Sequence, residues 1–245
     1  MACAGRKIYG GLVGVFLLVA GIVAERIGLV AQFTDPFEQE YLLGLIWRHL
    51  EIVGASMSLA LIAGLVIGVT VTRKPFQRFS GIILYIVSLG QTIPSLAVLA
   101  LIMTVMGIGV PPAIFALFIY SILPIARNSV AGISDVSPDL LDAARGIGMS
   151  PWQIFFQVEL PNALPVMLTG VRIALVINIG TVALGSLIGA GGLGDMIFTG
   201  INMMQPVKLL AGCLPVIGMA LAADYLCEIA GLLLISKGLR KAQSR

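Results

Sequence analysis

Charged side chains are scarce in this chain. Asp, Glu, Lys and Arg make up only 11% of its 245 residues, whereas hydrophobic residues make up 58% and the mean hydropathy is +1.04. In an ordinary soluble domain about a quarter of the residues are charged. The composition therefore excludes such a domain and predicts a protein that crosses a membrane several times, in which the 29 glycines allow close helix packing.

Histidine and cysteine are also rare, and their rarity excludes several kinds of chemistry. The chain has one histidine, His49, and three cysteines, Cys3, Cys213 and Cys227, with no metal-ligand or redox spacing. Nucleophilic catalysis by Ser-His-Asp or Cys-His groups is equally hard to build from this set. We predict that His49 is solvated and that the cysteines are inert. Cys213 and Cys227 lie too far apart along one predicted helix to form a disulfide.

Nucleotide-binding loops are missing as well. No phosphate-binding loop of the form G-x-x-x-x-G-K-[ST] occurs, so the chain has no recognisable means of hydrolysing ATP. Residues 189–194 match the dinucleotide pattern G-x-G-x-x-G, but that pattern needs a strand before it and an acid about twenty residues later. Here it ends an apolar run. We predict a tight turn or a flexible outer gate at this point, and no cofactor or metal bound by the chain.

Apolar runs divide the chain into six predicted membrane spans. About 20 apolar residues are enough to cross a bilayer. The third run is interrupted by polar residues and by Pro94, which predicts a broken helix. The first run also has the layout of a cleaved signal peptide, an alternative that leaves the later spans unchanged. The predicted spans are 8–24, 52–72, 79–108, 111–126, 163–190 and 207–236.

The distribution of basic residues predicts the orientation of these spans. We predict that residues 1–51 form a first membrane helix and an acidic extracytoplasmic loop with a surface helix near 42–47, that 52–245 form one helical domain, and that 191–206 are a second outer loop. Short cytoplasmic loops collect Lys and Arg. In this arrangement 12 of the 15 basic residues are cytoplasmic, as are both termini, and the exceptions are Arg26, Arg48 and Lys208.

A polar segment after the fourth predicted span has the pattern of a helical hairpin. Residues 137–139, Ser-Pro-Asp, supply a hydroxyl cap, a proline at the first helical position and a carboxylate at the positive end of the helix dipole. Two glycines in 146–148 then end the helix. Residues 150–153, Ser-Pro-Trp-Gln, predict a second helix start with a capping box, and Leu-Pro at 160–161 closes the segment.

This spacing resembles the cytoplasmic EAA loop of ABC-importer permeases. In that family an acid and two alanines are followed by a glycine and then by an aliphatic-x-Leu-Pro sequence. Aspartate replaces the usual glutamate here, and valine replaces the usual isoleucine. The resemblance implies that loop 135–161 is a coupling helix that docks in a groove of a separate ATP-binding subunit. A DNA-reading helix-turn-helix is disfavoured, because its second helix would need polar and basic side chains. The matching residues are Asp142, Ala143, Ala144, Gly148, Val158, Leu160 and Pro161.

Further segments, from residue 52 to the C-terminus, are similar to permeases that import glycine betaine, choline, carnitine and related osmoprotectants. They are 90–95, 107–109, 112–113, 120–124 and 177–181. Methionine-importer permeases share the layout and are the alternative. The resemblance implies an all-α helix bundle of the type I importer class in the bacterial inner membrane. It also implies a second permease subunit, ATP-binding subunits that use the ATP, an extracytoplasmic solute-binding protein and no nucleic acid.

Polar residues inside the predicted spans are candidates for the translocation path. Each of them could instead bond one helix to another, because Ser, Thr, Asn and Gln also do this in membranes. The candidates are Gln91, Thr92, Ser95, Asn178 and Thr181.

Asp224 and Glu228 lie four residues apart in the sixth predicted span, where ionised groups are costly. They could line the path or relay protons in an ion-coupled secondary transporter. We favour a position near the interface, opposite Arg127 or Arg172. A membrane-embedded enzyme is the other rival, and it lacks an assignable nucleophile, base or metal set.

Overall fold

Helices form nearly all of the structure. The computed structural model describes residues 25, 26 and 28–235, so the first predicted span and its signal-peptide alternative lie outside the described residues. The all-α prediction is confirmed. The helices are α1 Leu29–Thr34, α2 Pro36–Val71, α3 Lys74–Gln77, α4 Ser80–Thr92, α5 Ser95–Met106, α6 Val110–Ser134, α7 Pro138–Gly146, α8 Pro151–Ile154, α9 Leu160–Val182, α10 Leu193–Asn202 and α11 Pro206–Leu234. The remaining helical segments are a π-helical turn, Phe155–Glu159, and a 3-10 segment, Ala183–Ile188.

Among the described residues, four helical stretches are long and apolar enough to cross a membrane. They are Pro36–Val71, Val110–Ser134, Pro151–Ile188 and Pro206–Leu234, and α4 and α5 are shorter apolar helices. The predicted break in the third span is confirmed, because α4 ends at Thr92 and α5 begins at Ser95. Cys213 and Cys227 share α11 as predicted. The count of six spans and the cytoplasmic termini stay predictions.

The predicted acidic loop in residues 25–51 is mostly helical. Asp35 caps α2 by accepting hydrogen bonds from the backbone N–H groups of Phe37 and Glu38, and Pro36 occupies the first turn. The predicted surface helix near 42–47 is part of α2. Asp35, Glu40 and Glu51 are exposed, and the buried residues Leu42 and Leu45 on the other face hold this part of α2 against the bundle.

Two other predicted boundaries differ from the structure. The predicted outer loop at 191–206 contains α10, whose buried face includes Leu193 and Met196. The fourth span continues past Ala126 to Ser134, because the residues of this extension include buried Ser129, Gly132 and Ile133. In both places packing against neighbouring helices extends helical structure into a segment of mixed polarity.

Close packing places α6 between α2 and α9. A Cβ atom on Gly64 would lie 2.8 Å from Ile125, and one on Gly68 would lie 2.4 Å from the Cβ of Ser129, so these glycines let α2 approach α6. A Cβ on Gly170 of α9 would lie 2.6 Å from Asn128 on the other side of α6. Small residues at these positions therefore allow the close spacing of α2, α6 and α9.

The chain direction defines two ends of the bundle. One end, the hairpin end, contains the C-terminal end of α2 and the α7–α8 hairpin. The other end contains the turn between α5 and α6 and the 3-10 segment after α9, where Gly109 N–H donates to the Ile188 carbonyl at 2.7 Å. Helices α2, α6 and α11 run towards the hairpin end, and α9 runs away from it.

Candidate functional site

The first arm of the hairpin is α7, which begins at Pro138 as predicted. The predicted hydroxyl cap is wrong, because the side chain of Ser137 makes no cap hydrogen bond; its backbone carbonyl accepts from Leu140 N–H at 3.1 Å instead. Gly148 ends the arm with φ of +86°. Met149 N–H donates to the Ala144 carbonyl at 3.1 Å, which gives a Schellman-type turn that favours glycine at position 148.

The second arm begins with the predicted capping box. Gln153 N–H donates to Ser150 Oγ at 3.4 Å, and Ser150 N–H donates to Gln153 Oε1 at 2.8 Å. The two arms are therefore closed by local hydrogen bonds on both sides of Gly148. This makes the hairpin a defined shape rather than a loose loop.

The acid and alanines of the family pattern lie on α7 with different exposures. Asp142 and Ala143 are exposed, whereas Ala144 is buried at 5% exposure. Asp142 pairs with Arg145 at 2.6 Å, three residues along the same helix. Both side chains of this pair are exposed to solvent, so the carboxylate is accessible to another chain.

The outer surface of the hairpin is unusually apolar for a solvated segment. Ile147 is 80% exposed, Trp152 is 72% exposed and Phe156 is 56% exposed. The rings of Trp152 and Phe156 stack with centroids 6.0 Å apart. Exposed apolar clusters of this kind mark contact sites for another molecule. We call these three residues, together with Asp142 and Ala143, the docking face.

The hairpin does not end at Leu160 and Pro161 as predicted. The helix continues through them into α9, because a π turn precedes them in which Leu160 N–H donates to the carbonyl of Phe155. Pro161 lacks an N–H group, so it cannot continue the ladder of hydrogen bonds. The wider π turn accommodates the proline. A regular α-helix would have to break or kink at the same position.

An ion pair fastens the base of the hairpin to the bundle. Arg73, just after α2, lies 2.6 Å from Glu159, whose side chain is only 12% exposed. The guanidinium carbon of Arg73 also lies 4.9 Å from the ring centroid of Phe155. One arginine therefore holds the π turn through a charge pair and a cation–π contact.

Asn178 connects three helices in the centre of the bundle. It is 1% exposed, and its Nδ2 donates to Ser56 Oγ of α2 at 3.0 Å and to Ser121 Oγ of α6 at 2.8 Å. Its own backbone belongs to α9. These contacts satisfy its amide inside the protein, which is the packing alternative considered above.

Two other candidates lie at the break between α4 and α5. Gln91 Nε2 donates to the Tyr120 carbonyl at 2.7 Å, and the Tyr120 hydroxyl donates back to the Ile93 carbonyl. Thr92 bonds to the Leu89 carbonyl of its own helix at 2.8 Å. The pair of contacts through Tyr120 ties the broken helix to α6.

The last two candidates are partly exposed. Thr181 donates to the Ile177 carbonyl of its own helix at 2.7 Å, and Ser95 begins α5. The structure thus brings Asn178 together with two serines and Gln91 together with Tyr120, but it does not gather the five candidates into one site. Their role in a translocation path stays a prediction.

A family model identifies this architecture. The model described as "Binding-protein-dependent transport system inner membrane component" matches residues 60–231. The chain belongs to this family. The expected relation to ABC-importer permeases is confirmed, and a location in the bacterial inner membrane follows from the family.

Curated relatives and solved structures agree with the family. The chain is 45% identical over 221 residues to the osmoprotectant import permease protein OsmY of Salmonella typhimurium, covering 90% of this chain and 92% of that one. It is 40% identical over 193 residues to the glycine betaine/carnitine/choline transport system permease protein OpuCB of Bacillus subtilis, covering 79% and 88%. An inward-facing structure of the MetNI methionine ABC transporter matches with a TM-score of 0.71 at 24% identity, covering 83% of this chain and 100% of that one. The predicted importer fold is confirmed.

His49 is a feature of this inner-membrane component that the sequence analysis placed wrongly. The side chain is buried, not solvated, and its Nε2 lies 2.9 Å from the Ile179 carbonyl of α9. Arg48 reaches the Ala190 carbonyl with its Nε at 3.4 Å. These two adjacent residues thus tie α2 to α9 before the 3-10 segment and to the turn after it. The sequence does contain a signal for the burial of His49, since position 49 continues the helical stripe of the buried residues Leu42, Leu45 and Ile52.

The glycine-rich segment 189–194 forms the predicted tight turn. Three of its glycines have positive φ, and α10 begins directly at Leu193. A Cβ atom on Gly194 would lie 1.9 Å from the Ala183 carbonyl oxygen, so α10 packs directly against the 3-10 segment. Burial raises the pKa of the Asp195 carboxyl in the first turn of α10.

Asp224 of this permease has the partner that the sequence analysis favoured. Arg172 of α9 binds both carboxylate oxygens of Asp224, with Nη2 at 2.5 Å from Oδ2. The two side chains are 40% and 37% exposed. Glu228 is exposed one turn further along α11. A bidentate pair between α9 and α11 accounts for one of the two costly acids.

Proposed function

We propose that this chain is the permease subunit of an ATP-binding-cassette importer in which a separate ATP-binding subunit docks on hairpin 135–161. The observation that carries this proposal is the docking face. An apolar cluster around Trp152 stands on a locally closed hairpin whose base is fixed by Arg73 and Glu159. An exposed apolar face of this kind favours aggregation unless another protein covers it.

The hairpin has the geometry of a mechanical connection. Its second arm continues through the π turn into α9, so a displacement of Trp152 is carried into a helix that crosses the bundle. At the far side α9 contacts His49 through Ile179. Closure of an ATPase pair would move the tip and change the packing of the spans. The ATP is bound and hydrolysed by the partner, and this chain binds no cofactor.

The solute that we propose is a small osmoprotectant such as glycine betaine, choline or carnitine. Support comes from the relatives, whose names describe permeases for these compounds at 40% to 45% identity over most of the chain. We propose that an extracytoplasmic binding protein delivers the solute and that a second permease subunit completes the path. The solute carries a quaternary ammonium group, which aromatic cages bind through cation–π contacts, and this cage would belong mainly to the binding protein.

Reconstituted uptake tests the transport proposal. The permease, its ATP-binding subunit and the solute-binding protein are placed in proteoliposomes, and entry of radiolabelled glycine betaine is measured with ATP on the side of the ATPase. We expect uptake that requires ATP and persists with a proton ionophore. Uptake without ATP, or none for any quaternary amine, would contradict the proposal.

Co-purification tests the docking role separately. Gly148→Arg places a long charged side chain at the hairpin turn. The φ of +86° at this position is unfavourable for any residue other than glycine, so the substitution also strains the backbone. We expect loss of the ATP-binding subunit while the permease still inserts. Gly44→Arg is the matched control, because Gly44 is exposed at the other end of the bundle and a Cβ there meets nothing within 4 Å. Equal retention of the ATPase in both variants would refute docking at the hairpin.

A further inference from the structure

A cleft lies between the end of α2 and the second arm of the hairpin. It has a volume of about 310 Å³. Val69 and Phe76 form one wall, Pro151, Trp152 and Phe155 form the other, and Arg73 lies between them. We call this space the corner cleft. Its lining is dominated by aromatic and apolar side chains, although it lies where α2 leaves the apolar part of the bundle.

An exposed apolar stripe leads along α2 into the corner cleft. Leu59 is 49% exposed, Ile62 is 65% exposed and Val66 is 59% exposed. Their spacing of three and four residues continues to Val69, so these four positions share one face of α2, and Arg73 follows just after the helix ends. A hydrocarbon chain that lies along this stripe would reach the cleft without leaving apolar surface.

Two basic residues lie next to the lining of the corner cleft along the chain, on either side of Phe76. Lys74 and Arg78 are exposed and follow Arg73 directly after the span. Within residues 28–235, neither Lys74 nor Arg78 forms an ion pair, whereas Arg73 pairs with Glu159. The guanidinium carbon of Arg78 lies 4.7 Å from the ring centroid of Phe79. Basic clusters beside aromatic rings at the end of a span attract anionic lipid headgroups.

We propose that the corner cleft binds an anionic phospholipid. One acyl chain follows the stripe on α2 and its upper part enters the cleft against Phe76 and Trp152. The phosphate lies at the mouth, where Lys74 and Arg78 supply two cations. The charge of these residues selects an anionic over a zwitterionic lipid.

The position of this lipid has a consequence for the hairpin. The occupant contacts α2 on one side and Trp152 on the other, so it supports the same junction that Arg73 and Glu159 fasten. Trp152 belongs to both the docking face and the corner cleft, so the two proposals place the ATP-binding subunit and the lipid on different sides of its ring. The inference rests on the membrane location of the family and does not require the proposed solute.

Fluorescence quenching tests the inference with the full chain in vesicles. The chain has two tryptophans, Trp47 and Trp152, so Trp47→Phe leaves Trp152 as the only tryptophan. Vesicles of phosphatidylcholine receive a few mole per cent of lipid with brominated acyl chains, either phosphatidylglycerol or phosphatidylcholine. We expect phosphatidylglycerol to quench Trp152 at least threefold more strongly than phosphatidylcholine at the same mole fraction.

Matched variants separate this site from general contact with the bilayer. In the Trp47→Phe background, Lys74→Gln with Arg78→Gln is expected to abolish the preference, and Arg145→Gln, which removes a basic residue of α7, is expected to keep it. Phe76→Ala is expected to weaken quenching by both lipids. In the reciprocal variant Trp152→Phe the fluorescence comes from Trp47 alone, which lies at the end of the bundle opposite the hairpin. We expect the two brominated lipids to quench Trp47 equally.

Two results would overturn the inference. Equal quenching of Trp152 by the two lipids would remove the anionic preference, and absence of quenching would show that no acyl chain enters the cleft. The measurement is repeated with the ATP-binding subunit bound. Complete loss of quenching in that complex would show that the corner cleft is a protein interface and would overturn lipid occupancy in the working transporter.

Discussion

Arg73 Nη2 lies 2.6 Å from Glu159 Oε2, across a sequence separation of 86 residues. This pair joins the end of α2 to the π turn, and it is the main polar contact between the bundle and the base of the hairpin. The carboxylate is largely buried and the guanidinium is about one third exposed. The pair is therefore better shielded from water than the Asp142–Arg145 pair on the outer surface.

Glu159→Gln should weaken the connection between ATP hydrolysis and transport. Removal of the charge lowers the free energy of unfolding by about 1 kcal/mol, at the low end for a charged hydrogen bond because Arg73 is partly solvated. We expect ATPase activity to persist in the reconstituted complex while uptake per ATP falls severalfold. The measurement is the ratio of the two rates, together with the thermal midpoint of the permease.

Glu51→Gln is the control for this prediction. It breaks an exposed pair with Arg48 within α2, away from the hairpin, whose contribution to stability is only a few tenths of a kcal/mol. A ratio of uptake to hydrolysis that is unchanged in Glu159→Gln would show that the Arg73 contact plays no part in coupling. Recovery in the double variant Arg73→Glu with Glu159→Arg would support the pair itself as the cause.

The sequence predicts the parts of this fold that depend on local patterns. Apolar runs located the long helices, Pro94 located the break between α4 and α5, and Ser150 with Gln153 located the capping box. The two glycines in 146–148 located the end of α7, and the structure shows that Gly148 has a positive φ there. Each of these features is decided within a few residues along the chain.

The features that were missed depend on contacts between distant segments. His49 was expected in water because it is a lone polar residue in an acidic segment, yet its partner is the carbonyl of Ile179, 130 residues away. The helix α10 likewise depends on a buried face that packs against distant segments. The start of α2 is different, because Asp35 and Pro36 form a local helix-start signal that the prediction of a loop overlooked. The π turn has no local signature beyond Pro161, so its continuation into α9 was not predicted.

Asn178→Ala should destabilise the bundle. The substitution leaves the hydroxyls of Ser56 and Ser121 without their shared partner in a buried position, which costs about 1–3 kcal/mol. We expect a lower thermal midpoint for the purified permease. Thr181→Val, on the same helix, removes a hydroxyl that bonds only within α9 and should change stability by less than about 0.5 kcal/mol.

The same two variants separate packing from solute contact. If Asn178→Ala keeps the thermal midpoint and raises the KM for solute, Asn178 lines the path and the packing assignment fails. If Thr181→Val raises KM with unchanged stability, the predicted path role of Thr181 gains support.

Asp224→Asn should be more harmful than Glu228→Gln. The first substitution removes the bidentate partner of Arg172 and loosens α9 from α11, whereas Glu228 is exposed on the next turn. We expect a lower thermal midpoint only for Asp224→Asn, with partial recovery in Arg172→Asp combined with Asp224→Arg. A proton-relay role for the two acids predicts the opposite pattern, in which both neutral variants lose uptake without any loss of stability.

Gly194→Ala should disrupt the packing of α10. The added methyl group would lie 1.9 Å from the Ala183 carbonyl oxygen, which is backbone and cannot rotate away. Overpacking of this kind costs about 1–3 kcal/mol. Gly180→Ala is the matched control, because a Cβ there meets nothing within 4 Å and alanine favours the helix. We expect the thermal midpoint to fall for Gly194→Ala and to rise for Gly180→Ala. Equal midpoints would refute the close approach of Gly194 to the Ala183 carbonyl.

The continuous helical stretch Pro151–Ile188 makes the permease a lever. Its 38 residues extend for roughly 57 Å at 1.5 Å per residue, from the docking face to the segment that Arg48 and His49 hold. If an ATP-binding subunit docks as proposed, a torque applied at Trp152 would be opposed near one end by Arg73, which would act as the fulcrum, and it would be delivered at the other end next to Ala190. A small tilt of the short arm would then become a larger lateral movement at the opposite end of the bundle.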